Sequence, residues 1–345
     1  MSSLSINKFD YKLSSKLIAN KPIPLRQNSK LLYLNTKEKI LEEGKFKDIC
    51  SYMQKGDILI LNNTKVIPGR MILKKETGGK LEILYSRIIS KDTFEAIYTS
   101  SRPPKVDTKL FYTNNKFFII LKVTNNILLL KKNTIKSIIS IMKKYGKTPL
   151  PKYIKRSANI HDQRRYQTVY AKKEGSIAAP TAGLHFTRSL LSNLKKNGVI
   201  VEYITLHISY NTFKPIKHEN YTRHNLGSEY CMINKSLINK IKTAKEKNKK
   251  IIAVGTTVAR TLEGCASLNI SSSFSGYIDL FIKPGYKFKV INHLITNFHL
   301  PKSTLLLLVC AFAGKKNIFM AYKHAMKHNY RFYSYGDCMF INNQS

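Results

Sequence analysis

The sequence predicts an α/β protein in which a β-rich segment interrupts alternating strand and helix signals. Two observations carry this. Between Val66 and Leu130 five short β-type runs follow one another, with the hairpin-type pairs Gly78-Gly79 and Asn125-Asn126 between some of them, which is the pattern of a small antiparallel barrel. After Pro151, apolar runs of strand length alternate with segments of helical spacing, as crossover connections require.

Each element has its own signal. Up to Thr64, Leu31–Leu34 and Ile58–Leu61 read as strands, with a short helix over Phe46–Met53 between them. The barrel runs are Val66–Leu73, Leu81–Ile89, Phe94–Tyr98, Lys116–Val123 and Ile127–Leu130. A helix over Ile135–Tyr145 leads to the turn Thr148-Pro149-Leu150-Pro151. Beyond it, strands are expected at Val199–Leu206, Ile251–Val254, Tyr277–Ile282 and Ile291–Thr296. Helices are expected at Thr187–Asn197, Ser236–Asn248, Thr257–Cys265, Thr304–Ala313 and Ile318–Asn329. Ser271-Ser272-Ser273 marks a loop, and no internal repeat is visible.

At 345 residues and 43% hydrophobic content the chain is long enough for one large or two moderate cores. Its longest apolar run, Leu305–Ala313, is too short to span a bilayer, and Met1–Asp10 carries no signal-peptide pattern, so no membrane association and a cytoplasmic location are expected. The cysteines Cys50, Cys231, Cys265, Cys310 and Cys338 are odd in number and form no C-x-x-C pair; free thiols are expected. Lys and Arg number 59 against 20 Asp and Glu, a net charge of +39 that favours a polyanionic partner. The excess is Lys-rich and evenly spread, which is also how an AT-rich genome writes ordinary surfaces.

The most informative stretch is Gly175-Ser176-Ile177-Ala178-Ala179-Pro180-Thr181-Ala182-Gly183-Leu184-His185-Phe186. Small residues leave little to fill a core, and Thr187 is a good N-cap for the helix that follows. A turn presenting a hydroxyl, backbone N–H groups and an imidazole binds a polar substrate; a buried Gly/Pro turn with a capped core histidine fits the residues equally well. Three further clusters fall at strand ends: Thr205-Leu206-His207, Gly255-Thr256-Thr257 and Thr296-Asn297-Phe298-His299-Leu300-Pro301. Ligands of open α/β sheets bind outside the carboxyl ends of strands. Asn297 and His299 flank Phe298, so both face one side of an extended segment, and a neutral imidazole there suits a general base. Arg260 and Glu263 are close enough on one helix to pair with one another. The histidines are read as not falling at H-x-x-x-H spacing, and no carboxylate–histidine cluster reaches the density of a catalytic zinc site, so no metal centre is expected.

Taken in order, these segments resemble a known family. Phe9-Asp10-Tyr11, Gly56-Asp57, Asn62-Asn63-Thr64-Lys65-Val66-Ile67-Pro68-Gly69-Arg70 and Arg165-Tyr166-Gln167-Thr168-Val169-Tyr170 precede the Gly175–Phe186 stretch. Thr205-Leu206-His207, Gly255-Thr256-Thr257, Thr296 to Thr304 and Arg331-Phe332-Tyr333-Ser334-Tyr335-Gly336-Asp337 follow it. Nearly end to end, the chain resembles the S-adenosylmethionine:tRNA ribosyltransferase-isomerase family of queuosine biosynthesis. The resemblance implies a large α/β sandwich-like catalytic domain over 1–64 and 146–345, with a small antiparallel β-barrel domain inserted over 65–145. It implies a tRNA-modifying transferase that moves the ribosyl moiety of S-adenosylmethionine onto 7-aminomethyl-7-deazaguanine in the tRNA anticodon. Epoxyqueuosine-tRNA forms, and adenine and methionine leave. S-adenosylmethionine is then a co-substrate, no cofactor is needed, and a monomer is expected.

On this resemblance the catalytic candidates are His185, His299, Asn297 and Glu229. The substrate-binding candidates are Thr181, Gly183, His207, Gly255, Thr256, Thr257, Asn62, Asn63, Thr64 and Asp337, and Arg156, Arg164 and Arg165 are the tRNA-binding candidates. Three places depart from the family pattern, the mildest being Val258-Ala259-Arg260 after Gly255. Ser209-Tyr210-Asn211 stands where the family carries a glycine-rich turn. His224 to Glu229 stands for a His-x-Met-His-x-Glu motif, with Gly227 in place of its second histidine. They keep a second class of function open, a catalytically impaired RNA-binding protein of the same fold, and a third, an enzyme acting on another nucleoside.

Overall fold

A computed structural model of the chain describes residues 4–100, 102–209, 216 and 218–343. The first strands are β1 (Lys30–Asn35), β2 (Ile40–Lys45), β3 (Ile58–Asn62) and β4 (Thr64–Val66). Then come β5 (Arg70–Lys75), β6 (Lys80–Ile88), β7 (Thr93–Thr99), β8 (Lys109–Thr113), β9 (Lys116–Thr124) and β10 (Ile127–Lys132), followed by α1 (Ile138–Tyr145). Strands β5 to β10 close an antiparallel barrel in the order β10-β7-β6-β5-β8-β9. Its inward residues, among them Leu73, Ile83, Phe94, Leu110, Phe118 and Leu130, form a core of their own.

The second half supplies α2 (Ile160–Arg165), β11 (Lys173–Ser176), α3 (Arg188–Lys196), β12 (Ile200–Leu206), β13 (Glu229–Ile233) and α4 (Lys235–Glu246). It continues through β14 (Ile251–Val254), α5 (Thr256–Ser267), β15 (Phe274–Ile278), β16 (His293–Asn297), α6 (Thr304–Ala313), α7 (Lys315–Lys327) and β17 (Cys338–Asn342). Nine strands from both sides of the barrel make one sheet, ordered β15-β13-β12-β3-β14-β16-β17-β1-β2. Its centre, β12-β3-β14-β16, is all parallel. Alternate residues of these strands feed two cores: Ile58, Ile60, Ala253 and Leu294 pack with α4 to α7, while Leu59, Leu61, Val254 and Ile295 pack with α3. The protein is therefore α/β with a closed antiparallel barrel, and the sheet is covered on both faces, as a parallel centre demands.

The structure corrects several expectations. The run Val66–Leu73 is two strands, because Pro68 has no N–H for a ladder and Gly69 sits where a Cβ would meet that of Tyr85 at 2.9 Å. The segment Phe46–Tyr52 is 3-10 rather than α. Helix α1 starts at Ile138, since the Ser137 hydroxyl caps it by accepting the Ser140 N–H, and Ile135 is exposed. The strand expected at Tyr277–Ile282 lies at Phe274–Ile278, where pairing with β13 sets the register Glu229↔Ile278 to Ile233↔Phe274. Strands β2, β8, β11, β13 and β17 were not expected. Strand β2 is an exposed, charged sheet edge, and β17 is a single short buried run that only its neighbours β16 and β1 identify as a strand. Among the described residues no single helix is long and apolar enough to cross a membrane, and α6 and α7 meet at 112°.

Candidate active site

Because β12, β3, β14 and β16 run parallel, their carboxyl ends open on one edge of the sheet, and four of the expected motifs lie there. Gly255 turns β14 into α5 with φ of 91°, a left-handed conformation open to glycine, and its N–H is held by the Ile295 carbonyl at 2.7 Å. This leaves Thr256 and Thr257 on the first turn of α5. Asn62, at the end of β3, clamps the neighbouring ends. Its Nδ2 donates to the Leu206 carbonyl at 3.0 Å and to Thr257 Oγ1 at 3.3 Å, and its Oδ1 accepts the N–H groups of Thr64 and Leu206. Asn63 Oδ1 accepts from the Thr205 hydroxyl at 2.7 Å. Asn62 and Asn63 thus hold the site's frame.

Thr181, Gly255, Thr256, Thr257, Asn297 and His299 converge on one small cavity of about 30 Å³. His299 Nε2 lies 2.7 Å from the Thr296 hydroxyl, its backbone N–H donates to the Tyr322 hydroxyl at 2.8 Å, and its carbonyl accepts from the Tyr11 hydroxyl. Burial pushes the imidazole down to about 3, so it is neutral at working pH. Asn297 Nδ2 is committed to the carbonyls of Tyr333 and Asp337 at 3.1 and 3.3 Å, while its buried Oδ1 has no hydrogen-bond partner among the described residues. A buried amide oxygen without a donor is costly, and a ligand N–H or O–H removes that cost. Phe298 packs away from the cavity against Tyr322, Tyr330 and Phe332, as the alternation predicted.

His185 stands behind Asn297 rather than beside His299. Its Nδ1 is 2.7 Å from the Ser29 hydroxyl, its Nε2 is 3.4 Å from Asn297 Nδ2, and it lines a separate small cavity with Arg26 and Tyr335. Burial first, then the positive charge of Arg26 and Arg331, pushes it down to about 3. Gly183 makes room for the Tyr170 ring, whose hydroxyl any Cβ at this position would overlap. Asp337 is a clamp: its carboxylate accepts the N–H groups of Lys30 at 2.9 Å and Arg331 at 2.7 Å.

Glu229 and His207 face a different space, a cavity of about 520 Å³ towards the barrel. His207 Nδ1 meets the Thr64 hydroxyl at 2.8 Å, and Gly175 passes so close that a Cβ would come within 2.8 Å of the imidazole. Glu229 forms a fully buried ion pair with Arg260 and accepts the Ser209 N–H at 2.8 Å. The expected pair Arg260–Glu263 is thereby corrected. Glu263 turns to the other side and accepts the N–H groups of Lys289, Val290 and Ile291 and the Tyr286 hydroxyl. Removing one partner of a buried pair strands the other charge, so Glu229→Ala is expected to cost about 3 kcal/mol, read from the urea midpoint. An unchanged midpoint would show the pair to be energetically idle. Of the departure Ser209-Tyr210-Asn211 from the family pattern, Tyr210 and Asn211 lie outside the described residues.

Of the arginines expected to meet tRNA, two spend their guanidinium groups inside the protein. Arg156 forks onto Asp162 at 2.6 and 2.8 Å, and Arg165 donates to the carbonyls of Ile23 and Pro24. Arg164 is exposed. A second cleft of about 540 Å³ separates barrel and sheet, lined by Arg70, Leu84, Tyr153, Ala178 and Leu300 among others. Ala178 and Leu300 are chain neighbours of Ala179 and His299, so this cleft adjoins the small cavity. Sequence motifs missed Ser29 and Tyr322 and gave Tyr11 no role of its own, since the partners of all three are far away in the chain. They also missed a metal-type spacing: His324 in the last turn of α7 and His328 at its C-cap form an H-x-x-x-H pair, and Glu43 lies against both.

Comparison with known proteins identifies the family. A family model described as queuosine biosynthesis protein matches residues 6–341. A protein of Halothermothrix orenii named S-adenosylmethionine:tRNA ribosyltransferase-isomerase is 44% identical over 342 residues, 98% of this chain and all of that protein. A relative of the same name from Coxiella burnetii is 40% identical over 333 residues, 96% of this chain and 97% of its own length. The crystal structure of an S-adenosylmethionine tRNA ribosyltransferase from Thermotoga maritima is 32% identical and superposes with a TM-score of 0.57, covering 97% of this chain and 99% of that one. On these matches the chain belongs to the queuosine biosynthesis family of S-adenosylmethionine:tRNA ribosyltransferase-isomerases.

Proposed function

We propose that this enzyme transfers and isomerises the ribosyl moiety of S-adenosylmethionine onto the 7-aminomethyl-7-deazaguanine of a tRNA anticodon, releasing adenine and methionine. What carries the reading to the level of residues is the buried Asn297 Oδ1, an acceptor without a donor among the described residues, beside the neutral imidazole of His299. The reaction removes a proton from the carbon next to a sulfonium, whose charge already acidifies that C–H. In this reading His299 takes that proton and returns it to the departing adenine, so the imidazole ends neutral, as its burial favours. Asn297 Oδ1 accepts from a substrate donor, and Thr181 and Thr256 orient the sugar hydroxyls. His185 is a positioning residue acting through Asn297, and no cofactor is required.

A cavity of about 30 Å³ holds little more than water, whereas small-molecule sites run from about 300 Å³ upwards. The substrates therefore extend into the adjoining cleft of about 540 Å³ between barrel and sheet. The modified base enters from that cleft, and the lysine-rich surface follows the tRNA backbone. The enzyme acts as a monomer in the cytoplasm. With six to ten phosphate contacts, tRNA affinity is expected to fall about 10³-fold or more between roughly 50 and 200 mM salt. A salt-independent affinity would count against an electrostatic tRNA surface.

The deciding experiment incubates the protein with S-adenosylmethionine and tRNA bearing the aminomethyl-deazaguanine, and follows free adenine and the modified nucleoside by mass spectrometry. Both products are expected. Binding without adenine release supports an impaired RNA-binding protein instead, and adenine release without tRNA supports an enzyme on another nucleoside.

A further inference from the structure

We infer that His324 in the last turn of α7 and His328 at its C-cap, with Glu43 of β2, form a binding site for a divalent transition-metal ion of the zinc class, separate from the transfer reaction. The two histidines are four apart on a helix, so their rings share one face, and the ring centroids are 4.0 Å apart. Glu43 comes from the sheet edge, 281 residues earlier in the chain. Its Oε1 lies 2.8 Å from His324 Nε2 and 3.4 Å from His328 Nδ1. One ligand atom from each residue can be chosen so that all three lie within 4.8 Å of one another. A tetrahedral ion with bonds of about 2.0–2.1 Å spaces its ligands by roughly 3.3 Å. Small side-chain rotations close that gap, and these side chains are 28%, 38% and 42% exposed, which leaves them free to turn.

A second observation sets the donor atoms. His328 Nδ1 is 3.0 Å from the His324 carbonyl. A ring N–H donated to a backbone carbonyl fixes the tautomer in the way metal-binding histidines are usually fixed and leaves Nε2 as the ligand, so the 3.4 Å from Glu43 to Nδ1 places the ring beside the carboxylate rather than spacing two ligand atoms. Two imidazoles and one carboxylate suit zinc, nickel or copper better than magnesium or calcium. Three protein ligands leave a fourth position for water or another donor. The bound ion would pin β2, which has one strand neighbour, to α7.

The test titrates the untagged, metal-depleted full chain with Zn²⁺ against a chelating dye and records thermal midpoints with and without the ion. One equivalent is expected to depend on this site and to raise the midpoint. His324→Gln and His328→Gln should each weaken that equivalent at least about tenfold, since even losing a ligand's supporting partner costs a metal site that much. Glu43→Gln serves as a third variant should either histidine change disturb folding. Co²⁺ distinguishes the cysteines as a competing sink, because thiolate ligation gives an intense charge-transfer band that this ligand set lacks. Equal stoichiometry and affinity in wild type and in the histidine variants would overturn the site.

Discussion

His299→Ala is expected to lower the single-turnover rate of adenine release by about 10³-fold, the middle of the range for a lost acid–base group, while the protein stays folded. His299 is the histidine that shares a cavity with Thr181, Thr256 and Asn297, and its backbone is anchored independently of its ring by Tyr322 and Tyr11. Removing the imidazole therefore removes the proton carrier and leaves the loop in place. His185→Ala should cost less, roughly tenfold, because it loosens Asn297 from behind. Near-normal rates in both variants would remove the assignment, and a larger loss at His185 would exchange the roles. The pH profile offers a separate check. With His299 pushed down to about 3, its neutral form persists through the whole working range, so no acid limb between pH 6 and 7 should vanish on its replacement.

Acidification to pH 5 is expected to remove about 6 kcal/mol of stability, a large share of the roughly 5–15 kcal/mol that folded proteins possess. His185, His293 and His299 are each pushed down to about 3 by burial, from an ordinary 6.5. Between those values the unfolded chain binds the protons and the folded one does not. Their contribution is thus complete above pH 6.5 and is lost as pH falls towards 3, at about 2 kcal/mol per group by pH 5. His207, also lowered by burial, adds in the same direction. Asp337 opposes it, since burial raises its pKa and protonation then favours the folded state. Urea unfolding at pH 7.5 and pH 5 reads the difference, and equal stabilities would show that these imidazoles are not held neutral by the fold.

The motifs were legible in the sequence because their chemistry is local. Gly255 needs a left-handed backbone, Thr187 caps the helix after it, and Asn297 and His299 alternate around a core phenylalanine; each follows from residues within a few positions. The barrel hairpins were legible for the same reason. The missed strands β13 and β17 depend on neighbours 25 or more residues away, which set their register by hydrogen bonds that leave no periodic trace. Charge pairing failed in the same way. Arg260 and Glu263 stand one helical turn apart, yet Arg260 is drawn to Glu229 on β13, and Glu263 is taken by the backbone N–H groups of Lys289, Val290 and Ile291.

By itself, then, the sequence determined the class of fold, the family and the residues at the parallel strand ends, since these rest on spacing, backbone permission and order along the chain. Only the tertiary structure decided how those residues divide. It placed His299 with Thr181 and Asn297, moved His185 behind them, gave His207 and Glu229 to the barrel-side cavity, and tied Arg156 and Arg165 into the protein. The physical reason is that burial, desolvation and hydrogen-bond partnership belong to pairs of groups brought together across the fold. A side chain's role changes with which partner reaches it first.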